Sequence, residues 1–290
     1  MEQCPIKEME IKFQCVIDTE NSLFEPVPAS KIKPEWYKKL PIKVHSGGLE
    51  ISTIKKCPAM HDWLSMGYLI RNRHSILVWI GEGHHEEPVS LSIPLSDKAK
   101  EKDIQNIFEI TDPQKVDDYV TKHKLGIGEL DHYVKYMNIG GHPAAQVQGS
   151  SWDNRMAFKF KTDFLIETPK GTSCYYLDPF LFDNPYFRVW QGVMDTDNFN
   201  QLTTNNMLIF YPKVDHSFVI GKGTPLVQIV PFVRYPWRMN IEYLSKKEIL
   251  EKSEIEKDEM HLLASREDGS IERKEQHVYR KNWASRKEYK

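Results

Sequence analysis

The 290-residue sequence predicts a mainly β protein of the α+β class, with a compact antiparallel β-barrel core, a β-rich N-terminal half and peripheral helices. Three observations lead there. Short apolar segments recur through residues 156–233, parted by turn residues, as the strands of a small barrel or sandwich are. Helical periodicity is confined to roughly 96–138 and to a charged stretch after 245. A 40% hydrophobic and 11% aromatic content supplies a sizeable core. No apolar run approaches the roughly 18 residues that a membrane helix needs.

Taken in order, residues 9–17 alternate Ile11, Phe13 and Cys15, which predicts a strand with one buried face. Pro26, Pro28 and Pro34 then favour a chain that wraps over a core rather than entering a central sheet. Pro34-Glu-Trp-Tyr-Lys-Lys-Leu-Pro41 reads as an aromatic turn or short helix, and the stretch from Pro58 to Trp63 as a helical turn. Residues 67–70 and 75–80 read as a hairpin joined across Arg71-Asn-Arg-His74, with a polar loop over 81–88. Thr111-Asp112-Pro113 offers a capping oxygen and a first-turn proline ahead of Val116, Tyr119 and Val120, so a helix starts there.

Beyond 140, strands are expected at 156–160, 164–166, 174–177, 207–211, 218–220 and 226–233. Turns part them at Pro169-Lys-Gly171, Asp183-Asn-Pro185 and Gly221-Lys-Gly-Thr-Pro225, with Gly171, Gly192 and Gly223 in tight bends. Residues 245–267 are charged and helical, and 271–290 polar and basic. The divisions are 1–140 (β-rich, with a helical insertion at about 96–138), 141–244 (the barrel core) and 245–290 (a charged helical extension).

A net charge of −2 argues against bulk attraction to nucleic acid or anionic membrane, though not against a local patch. The N-terminus carries no basic stretch followed by an apolar one, so no signal peptide is expected. Cys4, Cys15, Cys57 and Cys174 are scattered, which suits free thiols in a reducing compartment. A cytoplasmic protein without a disulfide is the expectation.

The segment 168–232 holds the most informative constellation. Thr168-Pro-Lys-Gly171 is followed by Gly192-Val-Met-Asp-Thr-Asp197 and then by Phe218-Val-Ile-Gly-Lys-Gly-Thr-Pro-Leu-Val-Gln-Ile-Val230. This order resembles the β-clip core of the dUTPase and dCTP deaminase superfamily. The resemblance implies that Asp195 orients an attacking water, as a carboxylate general base can. The sugar-stacking aromatic would fall at Asn198 and Phe199. The family's phosphate-gripping Arg-Ser pair is absent: residues 177–184 carry Asp178 and Asp183 instead, and acids repel a triphosphate. Lys170, Arg188 and Arg234 are the basic candidates to replace it, with Asp197 and Phe199 beside them. Trp190, Phe187 and Phe199 could wall the carboxylate with apolar surface. The plainer reading has Asp195 and Asp197 bracing a turn through hydrogen bonds to backbone.

A second resemblance runs nearly end to end. Pro34-Glu-Trp-Tyr-Lys-Lys-Leu-Pro41, Lys56-Cys-Pro-Ala59, Gly67-Tyr-Leu-Ile70, His142-Pro-Ala-Ala-Gln146 and Gly223-Thr-Pro-Leu-Val-Gln-Ile-Val-Pro-Phe-Val-Arg234 are similar to an uncharacterised family of large tailed phages, notably those of marine cyanobacteria. It implies origin and a host-cytoplasm compartment rather than a mechanism.

His84-His85-Glu86 has the His-x-Glu spacing of a non-haem iron site, with His142 or His216 as a conceivable third ligand. The loop is glycine-flanked and rich in further acids, so it reads as solvated surface and no metal site is expected. No P-loop, nucleophile elbow or dinucleotide fingerprint occurs, and no cofactor follows from the sequence. The basic aromatic tail with Tyr279, Trp283 and Tyr289 could stack bases, or dock on its own core or a neighbouring subunit. The expected function is a phage-type accessory or ligand-binding protein without catalysis, possible partners being a nucleotide or other small molecule and a second copy. The alternatives are a nucleotide-acting or nucleotide-sequestering protein built on the Asp195 hairpin, an iron oxygenase, or a virion component. The accessory reading predicts neither a pocket at Asp195 nor converging metal ligands, but an exposed apolar or aromatic patch.

Overall fold

Strand pairing is antiparallel throughout the computed structural model, which describes residues 9–15, 24–82, 88–126, 157–162, 164–198, 207–265 and 271–275. The chain divides into two units, one of residues 1–34 and 67–234 and one of 35–66 and 235–290. This division differs from the sequence-based one at 140 and 245, because strands from both sides of residue 140 share sheets.

In the first unit β1 (Lys12–Cys15) pairs with β9 (Phe164–Glu167). A five-stranded sheet runs β12 (Gly192–Met194), β10 (Thr172–Leu177), β15 (Pro225–Val233), β5 (Tyr68–Arg71) and β2 (Val27–Pro28). Two three-stranded sheets accompany it. One orders β11 (Phe187–Val189), β13 (Met207–Pro212) and β8 (Phe158–Lys161). The other orders β14 (Phe218–Ile220), β6 (Ile76–Glu82) and β7 (Pro88–Pro94). The mainly β class holds. The sheets do not close into a barrel: the five-stranded sheet has free edges at β12 and β2, and β14 leaves β15 to pair with β6. Pro28 occupies one of those edges, where a missing N–H is tolerated.

The expected hairpin between 67–70 and 75–80 does not form. Strand β5 pairs with β15, and β6 with β14 and β7. Asn72 enforces this split. Its backbone N–H donates to the Thr224 carbonyl (3.2 Å) and its own carbonyl accepts from Gly223 N (2.9 Å). Its side-chain amide donates to the carbonyls of His74 and Gly221, each at 2.8 Å. The link between β5 and β6 is thereby tied to the β14–β15 turn. Each of those donors would otherwise be buried without a partner.

Strand β6 lies between two cores. Ile76 and Val78 face the main one, with Ile166, Cys174, Tyr176, Phe210 and Ile229. Leu77 and Trp79 face a second one, closed by α3 (Glu101–Phe108) and α4 (Pro113–Lys122) through Ile107, Val116 and Val120. Burial on both faces explains why this strand reads as an unbroken apolar run. The Trp79 indole N–H donates to the Ile110 carbonyl at 2.9 Å. Helix α4 starts as expected: the Asp112 carboxylate accepts from Gln114 N and Lys115 N, with Pro113 in the first turn. Ile11, just before β1, and Phe13 on it meet the core, but Cys15 is exposed at the strand's end.

The second unit contains α1 (Glu35–Lys39), the hairpin of β3 (Lys43–Ser46) and β4 (Leu49–Ser52), and α2 (Pro58–Ser65). Its later part holds α5 (Lys246–Met260) and the hairpin of β16 (His261–Ser265) and β17 (Ile271–Glu275). Ser245 and Glu248 cap α5 reciprocally, each side chain accepting from the other's backbone N–H, at 2.7 and 3.3 Å. No helix among the described residues is long and apolar enough to cross a membrane.

Candidate functional site

The Pro169–Gly171 turn sends the chain from β9 into β10, with Thr172 N donating to the Pro169 carbonyl and Gly171 at φ +86°. Gly223 also has positive φ (+82°), but Gly192 does not: it begins β12, opposite Tyr176. The chain turns after β12, at residues 195–198, with Asn198 N on the Asp195 carbonyl at 3.1 Å. Thr196 is fully buried there, its hydroxyl 2.6 Å from that of Thr168. The register Thr172↔Val233 carries Arg234 alongside, its N–H on the Gly171 carbonyl at 2.8 Å.

Asp195, Asp197 and Arg234 therefore meet. Arg234 clasps Asp197 with both terminal nitrogens, Nη1 to Oδ1 at 3.0 Å and Nη2 to Oδ2 at 2.5 Å. Oδ2 also accepts from the Gly171 amide at 2.7 Å. The Asp197 side chain is 1% exposed and Arg234's 34%, so the pair is shielded from water on the acid's side. Asp195 is different: its side chain is 60% exposed, and Oδ1 lies 3.0 Å from Arg234 Nη1. Ser173 bridges the two, accepting from Nη1 (2.7 Å) and donating to Asp195 Oδ1 (2.6 Å).

The Arg234 hydrogen bonds, and after them the Gly171 amide, hold the Asp197 carboxyl below the usual carboxylate range, against an opposing push from burial. Asp197 in turn raises Arg234. Under the turn, burial pushes the Cys174 thiol up to about 11, so it stays protonated at neutral pH.

The bracing role thus belongs to Asp197, through a backbone amide and a guanidinium. Arg234, a candidate phosphate ligand on the sequence, holds two carboxylates of its own chain. Lys170 is exposed on the turn, and Arg188 is exposed on β11, opposite Tyr211 in a different sheet. Among the described residues no hydrogen bond or ion pair joins either to Asp195. Two of the three residues expected to wall the carboxylate are described. Phe187 is buried in the main core, Trp190 lies against Tyr211, and Phe199 falls outside the described residues. The aromatic surface beside the cluster comes from Tyr175 and Phe232, stacked at 4.3 Å, with Phe232 paired across from Ser173. Asp178 accepts from Val189 N at 2.7 Å, and the exposed Asp183 forms a surface ion pair with Lys213 at 3.3 Å.

Ser173 and the Gly171 amide were missing from the sequence-based site. A serine on a strand and a main-chain donor carry no pattern of their own; only the pairing of β10 with β12 and β15 brings them in. His84, His85, Glu86, His142 and the basic aromatic tail lie outside the described residues, and His216 is exposed. Among the described residues, no three His, Cys, Asp or Glu side chains converge to hold a metal ion. No disulfide joins any two of Cys15, Cys57 and Cys174; Cys4 lies outside the described residues. No protein-family model and no curated protein matches the chain.

Proposed function

We propose that this chain is an accessory protein of phage type that acts in the cytoplasm by binding a partner rather than by catalysis, through the apolar surface of residues 35–54 and 235–250. One observation carries the reading: most of the large apolar side chains exposed among the described residues belong to these two segments. They include Ile42, Val44, Leu49 and Ile51 on and before the β3–β4 hairpin. Exposed apolar surface on this scale is costly in water unless something covers it. The Asp195 cluster supports the same reading from the other side. Its cation is occupied by its own two acids, and a triphosphate would meet carboxylates first. The test places a photo-crosslinking residue at Leu49, at Trp237 or at the exposed Arg188 in cells producing the protein. Discrete protein adducts from positions 49 and 237, and none from 188, are expected. An absence of adducts from both apolar positions would contradict the proposal.

One observation favours a second reading, in which a dUTPase-like core binds a nucleotide without the family's phosphate grip. The Tyr175–Phe232 stack and the exposed carboxylate of Asp195 lie side by side, joined through Ser173. Equilibrium dialysis against deoxynucleoside triphosphates decides it. Binding that Asp195→Asn abolishes would support the reading, and no binding by the native protein would end it.

A further inference from the structure

Residues 235–244, Tyr-Pro-Trp-Arg-Met-Asn-Ile-Glu-Tyr-Leu, leave Arg234 and end at the capped start of α5. Over this span the chain forms no helix, turn or bend. Among the described residues its backbone makes no hydrogen bond. Yet its pattern is that of a strand with one buried face. Tyr235, Trp237, Met239, Ile241 and Tyr243 alternate with Pro236, Arg238, Asn240 and Glu242. The Asn240 amide donates to Glu242 Oε1 at 2.9 Å, placing these i, i+2 side chains together as an extended backbone does. All five apolar side chains are exposed, Trp237 and Tyr243 by 91% and 92%. The segment has a strand's sequence and, among the described residues, no strand partner.

We infer that its partner is the same segment of a second copy of this chain, paired antiparallel across a two-fold axis at Asn240. This deepens the binding function proposed above, rests on it, and names the partner. Charge selects the register. A two-fold through Asn240 sets Arg238 directly opposite Glu242 twice over, once on each side of the axis. A two-fold through Met239 would leave both charges opposite uncharged residues. Opposite charges facing each other across a strand pair stabilise it, and like charges in that position destabilise it. The same register sets Trp237 opposite Tyr243 and Met239 opposite Ile241, so the apolar row becomes one continuous face. It also satisfies Pro236, which falls opposite Leu244. With Asn240 at a non-hydrogen-bonded pair, position 236 is non-hydrogen-bonded too, and its missing N–H loses no ladder bond. An interface of this kind is isologous and closes at two copies.

The full chain is tested by sedimentation velocity over a concentration series, as the native protein and as Arg238→Glu, Glu242→Arg and the double variant. The native protein is expected at twice the 34.0 kDa chain mass. Each single variant sets like charges opposite each other at both ends of the pair and should dissociate at concentrations about tenfold higher or more. The double variant restores both pairs and should recover the native dimer. A native protein that stays monomeric, or a dimer indifferent to all three variants, would overturn the self-pairing. A monomer that still forms crosslinks to other proteins at position 237 would overturn this inference alone. A monomer with no crosslinks from either apolar position would overturn the binding function as well.

Discussion

The two units of the chain treat apolar residues in opposite ways. In residues 67–234 the apolar strands feed two enclosed cores, and a strand such as β6 is buried on both faces. In residues 42–51 and 235–250 large apolar side chains stand exposed on the β3–β4 hairpin, on an extended segment and at the start of α5. Apolar content therefore says little about where burial is completed. Among the described residues the first unit encloses most of its apolar side chains, and the second leaves most of its large ones exposed. The aspartate–arginine clamp marks where the first unit stops: Arg234 is its last residue, and the exposed segment begins at Tyr235.

That contrast can be broken by substitution. The largest effect is expected at Gly67, in the enclosed unit, which has φ +71° and whose added Cβ would lie 2.1 Å from the Ile229 carbonyl oxygen. Gly67→Ala should cost about 3 kcal/mol in denaturant unfolding, combining a left-handed backbone with an overpacked site. Next comes the clamp, where Asp197→Ala strips a buried partner from Arg234 and should cost about 2 kcal/mol. Its pH signature follows from the depressed carboxyl. The stability Asp197 adds is present above the unfolded value of about 3.9. It is lost as pH falls through the lower folded value. The stability difference between native protein and Asp197→Ala should therefore shrink on acidification.

Gly47 sharpens the comparison from the other unit. It has φ +61° in the two-residue turn between β3 and β4, with open space where a Cβ would go. Gly47→Ala should cost only the backbone term, about 1 kcal/mol. Trp237→Ser should change the unfolding free energy by less than about 0.5 kcal/mol under conditions where the chain is monomeric, because the side chain touches almost nothing there. A cost above 2 kcal/mol would show that the residue is buried within its own chain.

Much of the first unit was legible in the sequence because its signals are local. Short alternating runs between turn residues mark β9, β10, β13, β14 and β15, and Asp112-Pro113 marks the start of α4. Pairing partners were not legible. The four residues between β5 and β6 look like a hairpin turn, but the outcome depends on Asn72 reaching carbonyls about 150 positions away. At the site, Asp195, Asp197 and Arg234 were each singled out and do meet. That Arg234 is clasped by both acids is not legible, because a charge available to a ligand and a charge already paired read the same in one dimension. The alternation over 235–243 is plain in the sequence, but it suits a core strand as well as an exposed one, and periodicity cannot say what completes a face.

Hydrogen exchange of the amides of 237–243, measured above and below the concentration at which the protein dissociates, tests the central claim most directly. In the assembled protein the amides of Trp237, Met239, Ile241 and Tyr243 should exchange slowly. Those of Arg238, Asn240 and Glu242 should stay fast, because in this register only the odd-numbered residues bond across the pair. On dilution the slow set should become fast, while the amides of Val227 and Ile229 in β15 stay protected. Fast exchange along the whole segment at every concentration, or protection that dilution does not remove, would contradict the account.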